Sequence, residues 1–260
     1  MGDHDTWYTL LPAWHELERM FEEGLRRDWR ALMFQDTGFT LVHVASAIIA
    51  IILILAATVA WRASLRDPTG GVVPPRKFGL AAMLDGFVGA VFKLASDVMG
   101  PKDAARFLPL FGTLALFVFC CNIQGLVPGF LPATDTLKTN LFLALLVFIV
   151  YNVAGIWRNG MHYVAHFLGP KIGGFPWLFF LFLPIEIASH LARPLSLSLR
   201  LMGNILADHK VVLAISSLIA LLAPVPFLLL GVMVAIVQTL IFTLLSIIYV
   251  GLAIEHAEEH

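Results

Sequence analysis

Long uncharged stretches alternate with short charged ones along the chain, and their lengths predict where it crosses a membrane. Phe39–Trp61 is 23 residues without a charged side chain, enough for a helix to cross a hydrocarbon core of ~30 Å. Phe107–Leu131 and Thr139–Trp157 are the next two candidates, and the connection Pro128–Lys138 has room for little except a turn. The pattern therefore predicts a first transmembrane helix at Phe39–Trp61 and a transmembrane hairpin at 107–157.

Two segments that flank the first predicted helix carry amphipathic patterns instead. In residues 1–38, apolar side chains recur at helical spacing, which favours a helix on a membrane surface, with a solvated segment as the alternative. In the cytoplasmic loop predicted at 62–106, Phe78–Met99 is apolar but interrupted by charges, and it is predicted to be an interfacial helix. The recurring apolar residues of the first segment are Trp7, Leu10, Leu11, Trp14, Leu17, Phe21 and Leu25.

The last part of the chain, residues 158–260, combines long uncharged runs with one charged segment. Val211–Ile254 is uncharged over 44 residues, which would be about 66 Å as one helix. It must therefore fold back, and the Pro-Val-Pro sequence that starts at Pro224 marks the place. We expect one long, bent helical element at 176–222 and a second at 225–254, packed as a steeply tilted hairpin.

The composition identifies these apolar helices as parts of a polytopic membrane protein. Hydrophobic residues make up 59% of the chain and charged residues only 13%. Soluble domains have about a quarter charged residues, so a soluble fold could not cover its surface with so few. The predicted fold class is all-α, with about five transmembrane crossings. The net charge of −1 argues against nucleic acid as a partner, because that needs a basic footprint. Cys120 and Cys121 are predicted to be small core residues, because neighbours on a helix cannot form a normal disulfide.

The counts of lysine and arginine favour an N-terminus outside the cytoplasm. Within about 20 residues of the first predicted helix, the two sides tie at four each. Over the whole chain, the segments 62–106 and 158–175 hold nine, whereas 1–38 and 129–138 hold five. Because basic residues concentrate in cytoplasmic loops and five crossings separate the termini, we expect the C-terminus in the cytoplasm.

Residues 186–210 form a charged segment between two apolar runs, and ionisable groups inside a membrane are functional by default. On a helical wheel, Glu186 and Asn204 fall within about 40° of Arg200, so the three form part of one polar stripe. His209 falls on the opposite face. The ionisable residues of the segment are Glu186, His190, Arg193, Arg200, Asp208, His209 and Lys210.

Residue type separates the roles that these side chains can play. Arginine keeps its proton at any physiological pH, so Arg200 is a fixed charge that can hold a mobile carboxylate ionised. At ~4 Å and an effective dielectric of ~20 the attraction is about 4 kcal/mol. Asp208 and His209 change protonation easily and suit a relay in a wet cavity. The alternative is that Arg200 and Asp208 merely pair, or that Arg200 extends to the membrane interface.

The run from Arg193 to Asn204 resembles the signature of subunit a of F-type ATP synthases. That signature is a Pro-Leu/Val-Ser-Leu-x-Leu-Arg-Leu-x-x-Asn string around an essential arginine, and this chain has Pro-Leu-Ser-Leu-Ser-Leu-Arg-Leu-Met-Gly-Asn. The resemblance extends across nearly the whole chain. Asn122–Phe130 is similar to the family's turn after its second span, Glu186 stands where the family carries an acid, and Gln238 matches the glutamine of its final helix.

The resemblance implies a non-catalytic stator subunit, without cofactor or metal, beside a rotating c-ring whose members each carry one carboxyl group in mid-membrane. Two offset aqueous half-channels would pass protons to and from the ring. Arg200 is then the essential cation facing the c-ring, with Asn204 in the same proton-translocating set. His209 takes the family's inlet-channel position, and Glu186 and Gln238 line nearby polar surface. The other implied partners are peripheral-stalk b subunits and the lipid bilayer, in a bacterial inner membrane.

Two positions depart from the family's pattern. Gly231 stands where the family often has His or Glu, and Asp208 adds a carboxylate where Gly is common. One hypothesis is that the Asp208–His209 pair does work that two helices share elsewhere. Asp135 and Lys138, in the turn of the predicted hairpin, are candidates for a channel mouth, and the alternative is that they are only solvated.

Two other classes of protein fit the sequence less well. An ion-coupled secondary transporter typically shows two related repeats, and the chain has no matching halves. An intramembrane hydrolase needs a nucleophile with its base or a metal motif, and neither Gly-x-Ser-x-Gly nor His-Glu-x-x-His occurs. His162 and His166 have an i,i+4 spacing but no third metal ligand near in sequence, so they are predicted to lie in an interfacial aromatic belt.

Overall fold

A computed structural model describes the chain as a set of long helices, with no strand in the residues it covers. The described residues are 6, 9, 13–26, 41–64, 79–127, 130–160, 163, 179–218 and 224–255. The helices are α1 (Trp14–Arg26), α2 (Leu41–Ser64), α3 (Leu80–Gly125), α4 (Leu137–Asn159), α5 (Phe179–Leu218) and α6 (Pro224–Glu255), with a short 3-10 turn at Ala133–Asp135. The predicted all-α class is confirmed.

Four of these helices are long and apolar enough to cross a membrane. They are α2, α3, α4 and α6. Helix α5, which contains the charged segment around Arg200, is not among those identified within the described residues. The polytopic character is therefore confirmed within the described residues, whereas the fifth crossing requires α5 and stays a prediction.

Helix α3 is two helices joined at a sharp break. Gly100 has φ 79° and ψ 160°, a backbone conformation that glycine adopts without steric cost. Pro101 follows and lacks the backbone N–H that a continuing helix would use, so it suits the first position of the second half. The first half is helical where a helix was predicted at 78–99. Its interfacial location stays a prediction. The second half begins and ends about six residues before the predicted span 107–131.

Helix α1 lies within the segment predicted to be an amphipathic helix. Trp14 is buried against Val42 of α2 and against Leu131, whereas Leu17 and Met20 are exposed. The earlier members of the predicted apolar stripe, Trp7, Leu10 and Leu11, lie outside the described residues. The helical prediction is thus confirmed for Trp14–Arg26.

The chain divides into two compact units, the first of which comprises residues 1–73, 116–139 and 202–237. Small side chains form part of its core, where Cys121 packs with Ala50 and Ala133. The two cysteines are free thiols, in line with the predicted core role. Polar groups tie the helices to one another: Ser46 Oγ donates to the Leu131 carbonyl at 2.5 Å, and Asn122 Nδ2 donates to the Ala235 carbonyl at 3.4 Å.

The second unit comprises residues 74–115, 140–201 and 238–260. Its core includes alanines that let the helices approach closely, packed around larger side chains. The buried members are Val91, Ala95, Ala104, Phe111, Ala115, Tyr151, Ile247, Val250 and Ala253. At the end of α4, Arg158 Nη1 forms an ion pair with Asp103 at 3.1 Å, and Asn159 Nδ2 donates to the Ala253 carbonyl at 2.9 Å. Helix α4 is thereby fastened to α3 and α6.

The predicted pair of long C-terminal helices is present. Helix α5 covers most of 176–222, with Pro184 and Pro194 inside it, and α6 begins at the predicted proline. Their 40 and 32 residues correspond to about 60 and 48 Å, both longer than a hydrocarbon core of ~30 Å. Within the second unit the two helices touch where the Arg193 guanidinium lies 5.5 Å from the Tyr249 ring centre. Their tilt in a membrane stays a prediction.

Candidate functional site on the two long helices

Arg200 lies in the middle of α5 and points away from the chain's own core. Its side chain is exposed, as are Ser196 one turn before it and Asn204 one turn after it. The opposite side of the helix is buried through Leu197 and Leu201. Among the residues that the structure describes, Arg200 forms no ion pair. The guanidinium is therefore accessible on the surface of α5 in the described part of the chain.

Small residues surround Arg200 on the same helix face. Ser196, Gly203 and Ala207 are exposed, and a Cβ added at Gly203 would meet nothing within 4 Å. Small side chains let the backbone of another helix come close, which is how transmembrane helices associate. An unpaired arginine in hydrocarbon costs about 2.5–3.5 kcal/mol on insertion scales, so such a face requires a compensating group. The arrangement suits a helix that brings a carboxylate.

Glu186 lies near a buried histidine that the sequence reading did not single out as a site residue. His190 Nε2 is 3.9 Å from Glu186 Oε1, one helical turn away. His190 Nδ1 is 3.5 Å from the Tyr151 hydroxyl on α4. The i,i+4 spacing of Glu186 and His190 was a usable sequence signal, whereas Tyr151 is distant in sequence and only the packing of α4 against α5 brings it close.

Gln238 lies on a buried polar stripe of α6 and not on exposed polar surface. Its side chain is 2% exposed, and Thr239, Thr243 and Ser246 are buried beside it. Two of these hydroxyls donate to the helix backbone, from Thr243 to the Thr239 carbonyl at 2.7 Å and from Ser246 to the Phe242 carbonyl at 2.8 Å. The buried hydroxyls therefore satisfy part of their hydrogen-bonding capacity within α6. The role of Gln238 in lining polar surface stays a prediction.

The remaining predicted residues are placed only in part. The backbone of Asp208 and His209 is helical within α5, but their side chains lie outside the described residues. Asp135 is half-buried in the 3-10 turn, and Lys138 is exposed in the first turn of α4. The predicted turn between the hairpin helices is therefore present, and the channel-mouth role stays a prediction. His162 and His166 fall outside the described residues.

The chain was compared with known proteins. The sequence model of a family described as ATP synthase A chain matches residues 43–251. ATP synthase subunit a of Sorangium cellulosum is 41% identical over 219 residues, 84% of this chain and 84% of that protein. ATP synthase subunit a 1 of Syntrophotalea carbinolica is 41% identical over 220 residues, 85% of this chain and 88% of that protein. ATP synthase subunit a of Geobacter sulfurreducens is 37% identical over 238 residues, 92% and 97% respectively. The chain belongs to the ATP synthase A chain family.

Membership in the ATP synthase A chain family confirms the resemblance carried by the Arg193–Asn204 run. It assigns the chain to a membrane-sector complex with other ATP synthase subunits, as a non-catalytic subunit. A secondary transporter and an intramembrane hydrolase are not favoured. Together with the four apolar helices, the family assignment makes the chain a multi-pass membrane protein.

Gly231, expected from the sequence to depart from the family's pattern, is tightly packed in the first unit. A Cβ added to Gly231 on α6 would overlap the Cδ2 methyl of Leu126, at the end of α3. The position is buried, so a larger side chain has no free space to enter. In this chain, Leu126 occupies the space that His or Glu would need.

We expect Gly231→His to destabilise the subunit, whereas Gly231→Ala should be milder because the Leu126 methyl can turn aside. Overpacking of this kind costs about 1–3 kcal/mol. The measurement is the temperature at which half of the complex purified in detergent loses this subunit, with unaltered chain as the reference. A histidine variant as stable as the unaltered chain would show that Leu126 does not define this space.

Proposed function

We propose that this chain is the stator subunit that passes protons to and from the carboxylates of the rotating c-ring, coupling the proton gradient to ATP synthesis. The observation that carries the proposal is the exposed Arg200, on a face of small side chains and without an ion pair among the described residues. A fixed positive charge on the surface of a helix within a membrane is costly unless an anionic partner lies beside it. Mid-membrane carboxylates on a helical ring are a partner of that kind.

The fixed charge of Arg200 determines what happens to a carboxyl group that passes it. At ~4 Å and an effective dielectric of ~20, the guanidinium favours the ionised carboxylate by about 4 kcal/mol. A protonated ring carboxyl that reaches Arg200 therefore releases its proton. The same charge repels a free proton, so it also blocks a direct leak between the two half-channels.

Titratable and polar residues on either side of Arg200 supply the two half-channels. Asp208 and His209 belong to the inlet, where a proton from the outer face reaches the ring. Glu186 is half-buried on α5 and Gln238 is buried on α6, where they add polar groups to the route, and Asn204 extends the face of Arg200 by one turn. Bound substrate is a proton, so no cofactor is required for this role.

The partners of the subunit, its membrane and its orientation are part of the same proposal. The c-ring lies against the Arg200 face, and peripheral-stalk b subunits hold the chain still while the ring turns. The lipid bilayer is that of a bacterial inner membrane, with the N-terminus outside the cytoplasm and the C-terminus inside. The lysine and arginine counts support this orientation.

Cysteine cross-linking tests whether the Arg200 face meets the ring. In a Cys120→Ala, Cys121→Ala background, Ser196→Cys and Ala207→Cys should each form a disulfide with a cysteine placed beside the carboxyl group of a c subunit, within assembled ATP synthase. Ile149→Cys on α4 is the matched control, since Ile149, like Ser196 and Ala207, is exposed on a membrane helix, with 59% of its surface accessible. It should form no such bond, because a lipid-facing position stays out of reach.

The yield of c-subunit adducts on denaturing gels is the readout. Adducts from the α5 positions and none from α4 support the proposal. Equal adducts from all three positions, or adducts from α4 alone, would contradict the assignment of the Arg200 face to the ring.

A further inference from the structure

A buried chain of three titratable side chains lies within the second unit. Tyr151 on α4 is 1% exposed, and its hydroxyl is 3.5 Å from Nδ1 of His190 on α5. The other imidazole nitrogen of His190 is 3.9 Å from the carboxylate of Glu186. The His190 side chain is 11% exposed and that of Glu186 is 27% exposed. The chain therefore leads from a partly accessible carboxylate to a buried phenol.

The charges around His190 come from three helices. Among the described residues they include the Glu186 carboxylate and the Arg193 guanidinium on α5, with the phenols of Tyr151 on α4 and Tyr249 on α6. The phenol of Tyr163, which follows α4, also interacts electrostatically with Glu186, Arg193 and Tyr151. The Tyr151 ring centre is 5.9 Å from the His190 ring and 6.2 Å from that of Tyr249. One anion and one fixed cation thus flank a single imidazole, which is the type of side chain that titrates at physiological pH.

We propose that His190 and Glu186 share one exchangeable proton and form a step of a half-channel, with Tyr151 as the positioning residue that orients the imidazole. This inference rests on the proposed function, because it assigns a route for the protons that the ring exchanges. Proton transfer needs a donor and an acceptor side by side, so neither His190 nor Glu186 could form this step without the other.

The step balances without any further reactant. A proton from water first protonates the Glu186 carboxylate. With Nδ1–H donated to the Tyr151 oxygen, the lone pair on Nε2 faces Glu186 and accepts that proton. The O–H bond of the carboxyl breaks and an N–H bond forms, which leaves an imidazolium beside a carboxylate. The imidazolium then gives a proton to another water molecule of the half-channel, which leaves a neutral His190 and a Glu186 carboxylate ready for the next proton. The same transfers run in reverse.

The distance between His190 and Glu186 is slightly too long for direct proton transfer. At 3.9 Å, His190 and Glu186 are beyond hydrogen-bond reach, so transfer needs a small movement of the Glu186 side chain or one bridging water. Glu186 attracts the imidazolium, whereas Arg193, less than one turn further along α5, repels it. These opposing charges keep the proton from being held permanently on His190.

Passive proton conductance of membrane vesicles stripped of the catalytic sector, but containing the complete membrane sector, tests the relay. His190→Gln should lower conductance about tenfold, within the usual effect of removing a proton-transfer group. It should also remove an inflection that we expect in the conductance of the unaltered complex between about pH 5 and 8. Glu186→Gln should act similarly, and the double variant should be no worse than either single variant, because the two residues act in series.

Two further variants separate a relay from a structural role. Tyr151→Phe keeps the ring and removes only the hydroxyl, so the inflection should remain but move along the pH axis. His43→Gln replaces a buried histidine of the first unit and should keep the profile's shape. Conductance is expressed per amount of assembled subunit, so poor folding cannot imitate the effect. An unchanged inflection in His190→Gln overturns the relay, as does a double variant in which the two losses multiply. Retained pumping in Arg200→Ala would instead overturn the proposed function itself.

Discussion

Arg200→Ala is expected to abolish ATP-driven proton pumping by the assembled ATP synthase while ATP hydrolysis is partly retained. Arg193, the other described arginine of α5, is half-buried against Tyr249 two turns away, so it does not replace the exposed charge of Arg200. The lost preference for the ionised ring carboxylate, about 4 kcal/mol, corresponds to a factor on the order of 10³ in proton release. Acidification of reconstituted vesicles, followed with a pH-sensitive dye beside an ATPase assay, measures both activities.

Arg200→Lys should not restore pumping. An ammonium in an apolar site can lose its proton, and it lacks the planar fork with which guanidinium holds a carboxylate. Arg62→Ala is the matched control, because Arg62 is also an exposed arginine but lies in the last turn of α2. Its pumping should equal that of the unaltered complex. Normal pumping by the lysine variant would refute the role assigned to Arg200.

The helices were predictable from the sequence because hydrocarbon imposes its own length on uncharged runs. Helix α2 at Leu41–Ser64 and α4 at Leu137–Asn159 lie within three residues of the predicted ends. The second half of α3 begins about six residues before the predicted span, because the prediction assigned the charged residues after Gly100 to the loop. Lys102, Asp103 and Arg106 are helical, and Gly100 with Pro101 sets the true boundary. A backbone break of two residues outweighs a few charges near a helix end.

The site was predictable only where it is local in sequence. Arg200 and Asn204 share a face because they are four residues apart, which helical periodicity alone provides. His190 needs Tyr151 of another helix, and no periodicity links residues 39 positions apart. The burial of Gln238 likewise depends on which side of α6 meets its neighbours. Tertiary packing, which sequence patterns do not specify, decides these contacts.

Asp208 and His209 lie within the helical backbone of α5, eight and nine residues after Arg200. On α6, Leu126 fills the space beside Gly231. We therefore propose that the inlet of this chain rests on the two adjacent groups of α5. Each offers a separate landing site for a proton, since both carboxylates and imidazoles exchange protons readily.

Asp208→Ala or His209→Ala alone should slow proton uptake only modestly, because the other group still serves as a landing site. The double variant should lose far more conductance than the two single losses combined, as expected for groups that act in parallel. Passive conductance of the membrane sector in vesicles, compared among the three variants, measures this. Direct proton leak between the two half-channels should not rise, because Arg200 still holds the ring carboxylate in its ionised form. Unchanged conductance in the double variant would mean that both residues are only structural and that protons enter past Glu186 and Gln238.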